Sequence, residues 1–178
     1  MDVAERVQAL VAQAAERLHA AGARDEALAE FVASRRVLGI PRAERMSRAG
    51  RVWRLGVLLV TPEGDLRGTG RVVRAEPEAR RSITANAVAE QRAYRAAAVR
   101  GGFRAGETVN FDTVAIDLDE LTRSRASGPL VLDGSGDDSG EGEDVFVRWS
   151  PTDPTALAPF ARYLHERVEL LAHPPTGA

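Results

Sequence analysis

The side chains able to do chemistry in this chain are few in kind. All 24 basic residues are arginine, cysteine is absent, and the three histidines stand apart at His19, His165 and His173. The chain therefore offers neither a primary amine nor a thiol as nucleophile. A P-loop needs its lysine on the β- and γ-phosphates, and a pyridoxal Schiff base or a Ser–Lys hydrolase needs an amine, so all three are excluded. Thiol catalysis and cysteine zinc sites fall with the missing cysteines. No two histidines show the i, i+4 spacing of a zinc helix, and the G-x-S-x-G elbow is absent. A Ser–His–Asp set is not excluded by counting, since triads are assembled in space. Gly68-Thr69-Gly70 begins like a dinucleotide loop, but the third glycine is missing and a strand follows instead of a helix. The residues thus name no catalytic set, no metal site and no cofactor.

Carboxylates come next. Asp117 and Asp119 end the apolar run Val114-Ala115-Ile116, an arrangement that resembles the D-x-D of the haloacid-dehalogenase phosphotransferases. In that family the first Asp attacks phosphorus and the second handles protons. Leu121 stands where the pattern has Thr or Val, the family's lysine is missing, and the plainer reading is a strand ending in a solvated acidic turn. The run DGSGDDSGEGED, residues 133–144, places Asp133, Ser135, Asp137, Glu141 and Asp144 at calcium-loop offsets. Its sixth position is Asp138 where glycine is required, and its last is Asp instead of a bidentate Glu. The composition predicts a flexible acidic loop.

The arginines are the most suggestive group. Residues 1–34 carry 3 Arg against 6 acids, residues 35–104 carry 16 against 6, and residues 105–178 carry 5 against 14. A basic middle followed by an acidic end implies either internal pairing or an anionic partner. The candidate binding residues are Arg51, Arg54, Arg67, Arg71 and Arg74 on or beside a hairpin, and Arg92 and Arg95 on the helix that follows. Guanidinium groups hold carboxylate and phosphate bidentately, so such a surface suits an anionic ligand or a nucleic-acid backbone.

The elements that position these groups can be read from periodicity. Val3, Val7, Leu10, Val11, Ala14 and Leu18 recur at helical spacing, Asp2 is placed to cap, and Gly22 to terminate. A second helix is expected over 24–37, burying Ala27, Leu28, Phe31 and Val32, with Gly39 and Pro41 as its stop. Residues 1–38 would then be a helical hairpin or extension. Residues 51–61 and 66–75 read as a β-hairpin about Pro62-Glu63-Gly64-Asp65. A helix over 82–100, closed by Gly101-Gly102, is followed by strands over 108–118, 130–132 and 145–149. A final helix is expected to start at Pro154 with Asp153 as its cap. The whole reads as a single α+β domain over 1–178, with a mostly antiparallel sheet of four to five strands and helices on one face. No run is long enough to span a membrane. The acidic, periodic start is unlike a signal peptide, which gives a cytoplasmic expectation.

The segments GRVWRLGVLLVTPEGDLRGTGRVVRA and QRAYRAAAVRGGFRAGETVNFD resemble a group of small uncharacterised actinobacterial proteins, over roughly residues 36–120. Members are sometimes labelled glutaminase. Glutaminases of the known types use S-x-x-K, a cysteine nucleophile, or threonine with lysine, and this chain has neither Lys nor Cys. Hydrolysis of glutamine would need some other means. The leading expectation is a non-enzymatic module that self-associates or binds a protein partner through its amphipathic terminal helices. An anionic-ligand or nucleic-acid binder is the alternative, and a hydrolase of unrecognised mechanism the third.

Overall fold

A computed structural model describes residues 1–37, 40–77, 86–133, 144–150 and 152–175. Its helices are α1 (Val3–Ala20), α2 (Asn86–Arg100), α3 (Leu118–Ser124) and α4 (Phe160–Ala172). Its strands are β1 (Glu26–Val32), β2 (Arg35–Val37), β3 (Ile40–Arg42), β4 (Arg45–Leu55), β5 (Leu58–Val60), β6 (Leu66–Gly68) and β7 (Arg71–Arg74). They continue as β8 (Thr108–Phe111), β9 (Val114–Ala115), β10 (Ala126–Ser127), β11 (Leu130–Asp133), β12 (Asp144–Arg148) and β13 (Leu157–Pro159). The class is mixed α+β with mostly antiparallel pairing, as expected, but the main ladder is larger than the four to five strands predicted. Seven strands run β7-β8-β1-β4-β5-β6-β9, four more run β10-β11-β12-β13, and β2-β3 stand as a pair. Among the described residues no helix is long and apolar enough to cross a membrane.

The chain separates into two compact units. The first comprises Met1–Asp25, Val52–Thr69 and Val114–Ala178, and the second Glu26–Arg51 and Gly70–Thr113.

In the first unit, α1 follows from its sequence almost completely. Asp2 accepts from the Glu5 N–H at 2.8 Å while the Glu5 carboxylate accepts from the Asp2 N–H at 3.0 Å, a reciprocal capping box. Gly22, at φ +59°, closes the helix, with the Ala23 N–H donating to Leu18 O. Val3, Val7, Val11, Ala14, Ala15 and Leu18 are buried in one cluster with Phe160, Tyr163, Leu164 and Val168 of α4 and with Trp53, Leu55, Leu58 and Val60. Trp53 is a core residue, and its indole N–H is satisfied by Ala23 O at 3.1 Å.

Three expectations need correction here. The run 51–61 is not one strand: β4 ends at Leu55 and turns through Gly56-Val57 into β5, with Leu55 opposite Leu58. A two-residue hairpin loop of this kind needs a positive φ, and Gly56 supplies +69°. The hairpin about Pro62–Asp65 is present, with Val60 opposite Leu66, but the predicted return strand 66–75 is broken after Gly68 into β6 and β7, and β7 pairs with β8 instead. The last helix begins at Phe160 and not at Pro154, because Ala158 precedes Pro159 and is pushed towards extended geometry. Leu157–Pro159 accordingly pairs with β12. Asp153 instead holds a turn, accepting from the Thr155 N–H at 2.8 Å and hydroxyl at 2.7 Å, and these bonds lower its pKa.

Gly56 also meets α4. The Tyr163 hydroxyl accepts from the Val57 N–H at 3.0 Å, and a methyl group on Gly56 would collide with that oxygen. Gly56→Ala is expected to cost about 2–4 kcal/mol in urea unfolding, combining positive φ with overpacking. In a Tyr163→Phe background the penalty should shrink, since the colliding atom is gone.

The second unit contains the clearest departure. The predicted second helix is the strand β1, so the N-terminal helix is single. β1 pairs in parallel with β8, Leu28 lying opposite Asn110. Ala27, Leu28 and Ala29 are buried in succession, so this strand is covered on both faces and carries no alternation. β7 runs antiparallel to β8. Ala97 and Ala98 of α2 share a core with Val73, Val109, Phe111, Met46, Ala27 and Ala29. The α2 terminus at Gly101-Gly102 stands as predicted, and the part of that prediction over 82–85 lies outside the described residues. The predicted strand 108–118 is interrupted at Asp112, whose φ is +52°, and gives way to α3 at Leu118.

Candidate anion-binding site

The segment between β1 and β4 folds as the two-stranded pair β2-β3, with Arg35 opposite Arg42, Arg36 opposite Pro41 and Val37 opposite Ile40. Pro41 has no N–H to give, which a strand outside a larger sheet tolerates. Like charges placed directly across two strands repel, and an isolated two-stranded pair is at best marginally stable. The register therefore sets Arg35 and Arg42 on one face of the β2-β3 pair without adding to its stability.

A hollow of about 330 Å³ lies at this point, lined by Val32, Ala33, Arg35, Arg42, Ala43, Arg45 and Arg100. Arg100 ends α2 and is fixed there by Glu44, its Nε donating to Glu44 O at 2.7 Å and an Nη to Glu44 Oε1 at 2.9 Å. Among the described residues, no acid pairs with Arg35, Arg42 or Arg45, and all three are exposed. Four guanidinium groups thus line one concavity, that of Arg100 held by Glu44.

No family model, curated protein or solved structure matches this chain. Its residues alone carry the functional argument.

The arginines singled out from sequence lie elsewhere. Arg54 and Arg67 belong to the first unit, one on each side of Leu59 in the β4-β5-β6 register, half-buried and engaged by other groups. In the second unit Arg95 pairs with Glu76 at 2.7 Å, Arg92 is half-buried and engaged, and Arg74 is exposed opposite Thr108. Arg71 contacts Glu90 at 2.7 Å, Asp112 at 3.7 Å and the Tyr94 hydroxyl. Its hydrogen bond to Glu90 raises the Arg71 pKa and holds the Glu90 carboxyl below its usual value. Arg51 and Arg48 share Glu107, at 2.9 Å and 3.2 Å, and the Arg48 guanidinium also lies over the Phe103 ring. Arg51, Arg71 and Arg95 are therefore committed to ion pairs, and none of the seven lines the 330 Å³ hollow.

The internal complementarity expected from the charge distribution is partial. Glu107 and Asp112 come from the acidic end, whereas Glu44, Glu76 and Glu90 come from the basic middle itself. Sequence reasoning missed Arg35, Arg42 and Arg45 because Arg35 falls in the stretch 24–37 that reads as helix, and Arg42 and Arg45 follow its expected stop at Gly39 and Pro41. The available signal was the spacing of Arg35-Arg36 and of Arg42 and Arg45 on either side of Gly39.

The other motifs resolve into local structure. Asp117 is the cap of α3, accepting from the Asp119 and Glu120 N–H groups at 2.9 and 3.0 Å, and its own N–H donates to the buried Ser127 hydroxyl. The stretch read as a solvated acidic turn is therefore the cap and first turn of a helix. Most of the calcium-like run lies outside the described residues. Its ends, Asp133 and Asp144, face each other across β11 and β12. Among the described residues no group of three His, Asp or Glu side chains comes together to hold a metal. His165 Nδ1 lies 3.3 Å from an Arg17 Nη, and His173 Nδ1 lies 3.4 Å from Glu169, both on the helix pair α1-α4.

Glu107 gives a pH prediction. Burial pushes its carboxyl up, but Arg48, the Arg104 N–H and Arg51 pull it down further, leaving it below its ordinary value. A depressed folded pKa contributes stability that is present in full above the unfolded carboxylate pKa and is lost as pH falls through the folded value. Glu107→Gln is expected to lower unfolding free energy by about 1–2 kcal/mol at neutral pH. In urea titrations across pH the difference from wild type should vanish at the acid end.

Proposed function

We propose that this chain is a binding module for a small phosphate-bearing anion, held by Arg35, Arg42, Arg45 and Arg100 of the second unit. The observation that carries the reading is the unrelieved Arg35–Arg42 pair across β2-β3, both members facing a concavity that also receives Arg45 and Arg100. Three exposed guanidinium groups, with a fourth held by Glu44 at their side, suit a ligand with several negative charges, and phosphate oxygens match the planar fork of arginine. The volume falls within the range of small-molecule sites, roughly 300–1,000 Å³. A duplex backbone presents the same groups, but a hollow of this size favours a compact ligand.

Self-association through the terminal helices has less support, because the apolar stripes of α1 and α4 are already buried in one core within the first unit. A hydrolase reading gains nothing from Asp117, which caps α3, or from Ser127, whose hydroxyl accepts from the Asp117 N–H. The cytoplasmic setting expected from sequence suits a phosphate-bearing ligand.

Calorimetric titration with inorganic tripolyphosphate at low ionic strength tests the proposal. One saturable site that weakens as salt is added is the expected result. Absence of binding, or equal affinity in Arg42→Gln, would overturn it. Tight binding of short duplex DNA without any of tripolyphosphate would overturn the small-ligand form.

A further inference from the structure

A second concavity, independent of the arginine hollow, belongs to the first unit. It measures about 440 Å³ and is lined by Val57, Gly68, Thr69, Val114, Pro129 and Arg148, with Gly128 and Ser150 beside them. Its walls are held by backbone bonds between segments distant in sequence. The Thr69 N–H donates to Val57 O at 3.1 Å, and the Arg148 N–H donates to Pro129 O at 2.8 Å. Gly68 is part of the wall: a methyl group there would stand 3.1 Å from Pro129 Cδ, a tight approach. Val114 is 59% exposed although it is β-branched and sits on β9, where the hollow opens.

The lining is therefore mostly apolar and carries few polar groups: the Arg148 guanidinium, the Thr69 hydroxyl and the Ser150 hydroxyl, the last held by Thr152 at 3.2 Å. Among the described residues no acid pairs with Arg148. One unmatched cation against an apolar wall is the complement of an amphipathic monoanion. The guanidinium takes a carboxylate as a two-pronged hydrogen-bonded pair, and the adjoining surface of Val57, Val114 and Pro129 takes a short hydrocarbon body. The charge count separates this site from the first, since a single arginine matches one carboxylate and not a polyphosphate.

We infer that the 440 Å³ hollow is a binding site for a small monocarboxylate with a short apolar chain, anchored by Arg148 and oriented by Thr69. Hexanoate is a suitable probe, with hexanol carrying the same body without the charge and acetate the charge without the body. Titration followed by the backbone amide resonances of Val57, Thr69 and Val114 should show saturable shifts with hexanoate. Hexanol and acetate should bind at least tenfold more weakly. Arg148→Gln should weaken hexanoate roughly tenfold to a hundredfold, the range for a hydrogen bond to a charged group. Arg42→Glu, which alters the other site, should leave hexanoate binding unchanged, so the two sites fail separately. The inference is overturned if hexanoate leaves these resonances unmoved, if hexanol binds as tightly as hexanoate, or if Arg148→Gln, with its spectrum otherwise native, keeps wild-type affinity.

Discussion

Arg42→Glu is expected to abolish tripolyphosphate binding while leaving the ligand-free protein slightly more stable. The two effects have one origin. In the wild type, Arg42 lies across the strand pair from Arg35, and like charges in that position repel. Glutamate there converts the repulsion into an attraction, worth about 0.2–1 kcal/mol before allowance for the exposure of both side chains. The same change removes one of four guanidinium groups from the hollow and sets a carboxylate against the ligand. Loss of charged hydrogen bonds at roughly 1.5–3 kcal/mol each, with added repulsion, predicts at least a hundredfold fall in affinity. Calorimetry and urea unfolding on the same preparation read both quantities. A destabilised variant with intact binding would show that Arg35 and Arg42 neither repel nor share a ligand.

The largest expected loss of stability comes from Phe111→Ala. Phe111 is fully buried in the second unit, with Tyr94 at 4.9 Å and Phe31 at 6.4 Å between ring centres, and Phe31 meets Tyr94 edge-on at 5.2 Å. Much of the surrounding core is alanine: Ala27, Ala29, Ala75, Ala97 and Ala98. Side chains that small have no rotamers with which to refill a vacated ring, so the cavity should persist. Truncations of this type cost about 3–5 kcal/mol, and the upper half of that range is expected here. Urea unfolding measures it, and a cost near 1 kcal/mol would mean that the core collapses onto the hole.

What could be read from the sequence follows the range of the forces involved. The helix α1 was legible because its cap, its stripe and its terminating glycine all lie within a few turns of one another. Residues 24–37 were not, because Ala27-Leu28-Ala29 carries no period and alanine favours helix. What makes that stretch a strand is β8, met in parallel through Leu28 and Asn110, a partner that local pattern cannot reveal. The same limit hid both sites. Arg35 and Arg42 become a site only through the β2-β3 register. Arg148 becomes one only because Val57, Gly68 and Pro129 arrive beside it from separate segments. Conversely, the arginines that drew attention, Arg51, Arg71 and Arg95, were conspicuous in sequence and are answered by acids in space.

The interleaving of the two units sets an order on the ribosome. All residues of the second unit have been synthesised once Thr113 has been added, whereas α1, although made first, has its helical mate in α4, some 140 residues later. The face of α1 that meets α4 must therefore wait through most of translation, while Trp53, Leu55, Leu58 and Val60 of the same cluster are made early, and the Asp2–Glu5 box keeps its first turn wound meanwhile.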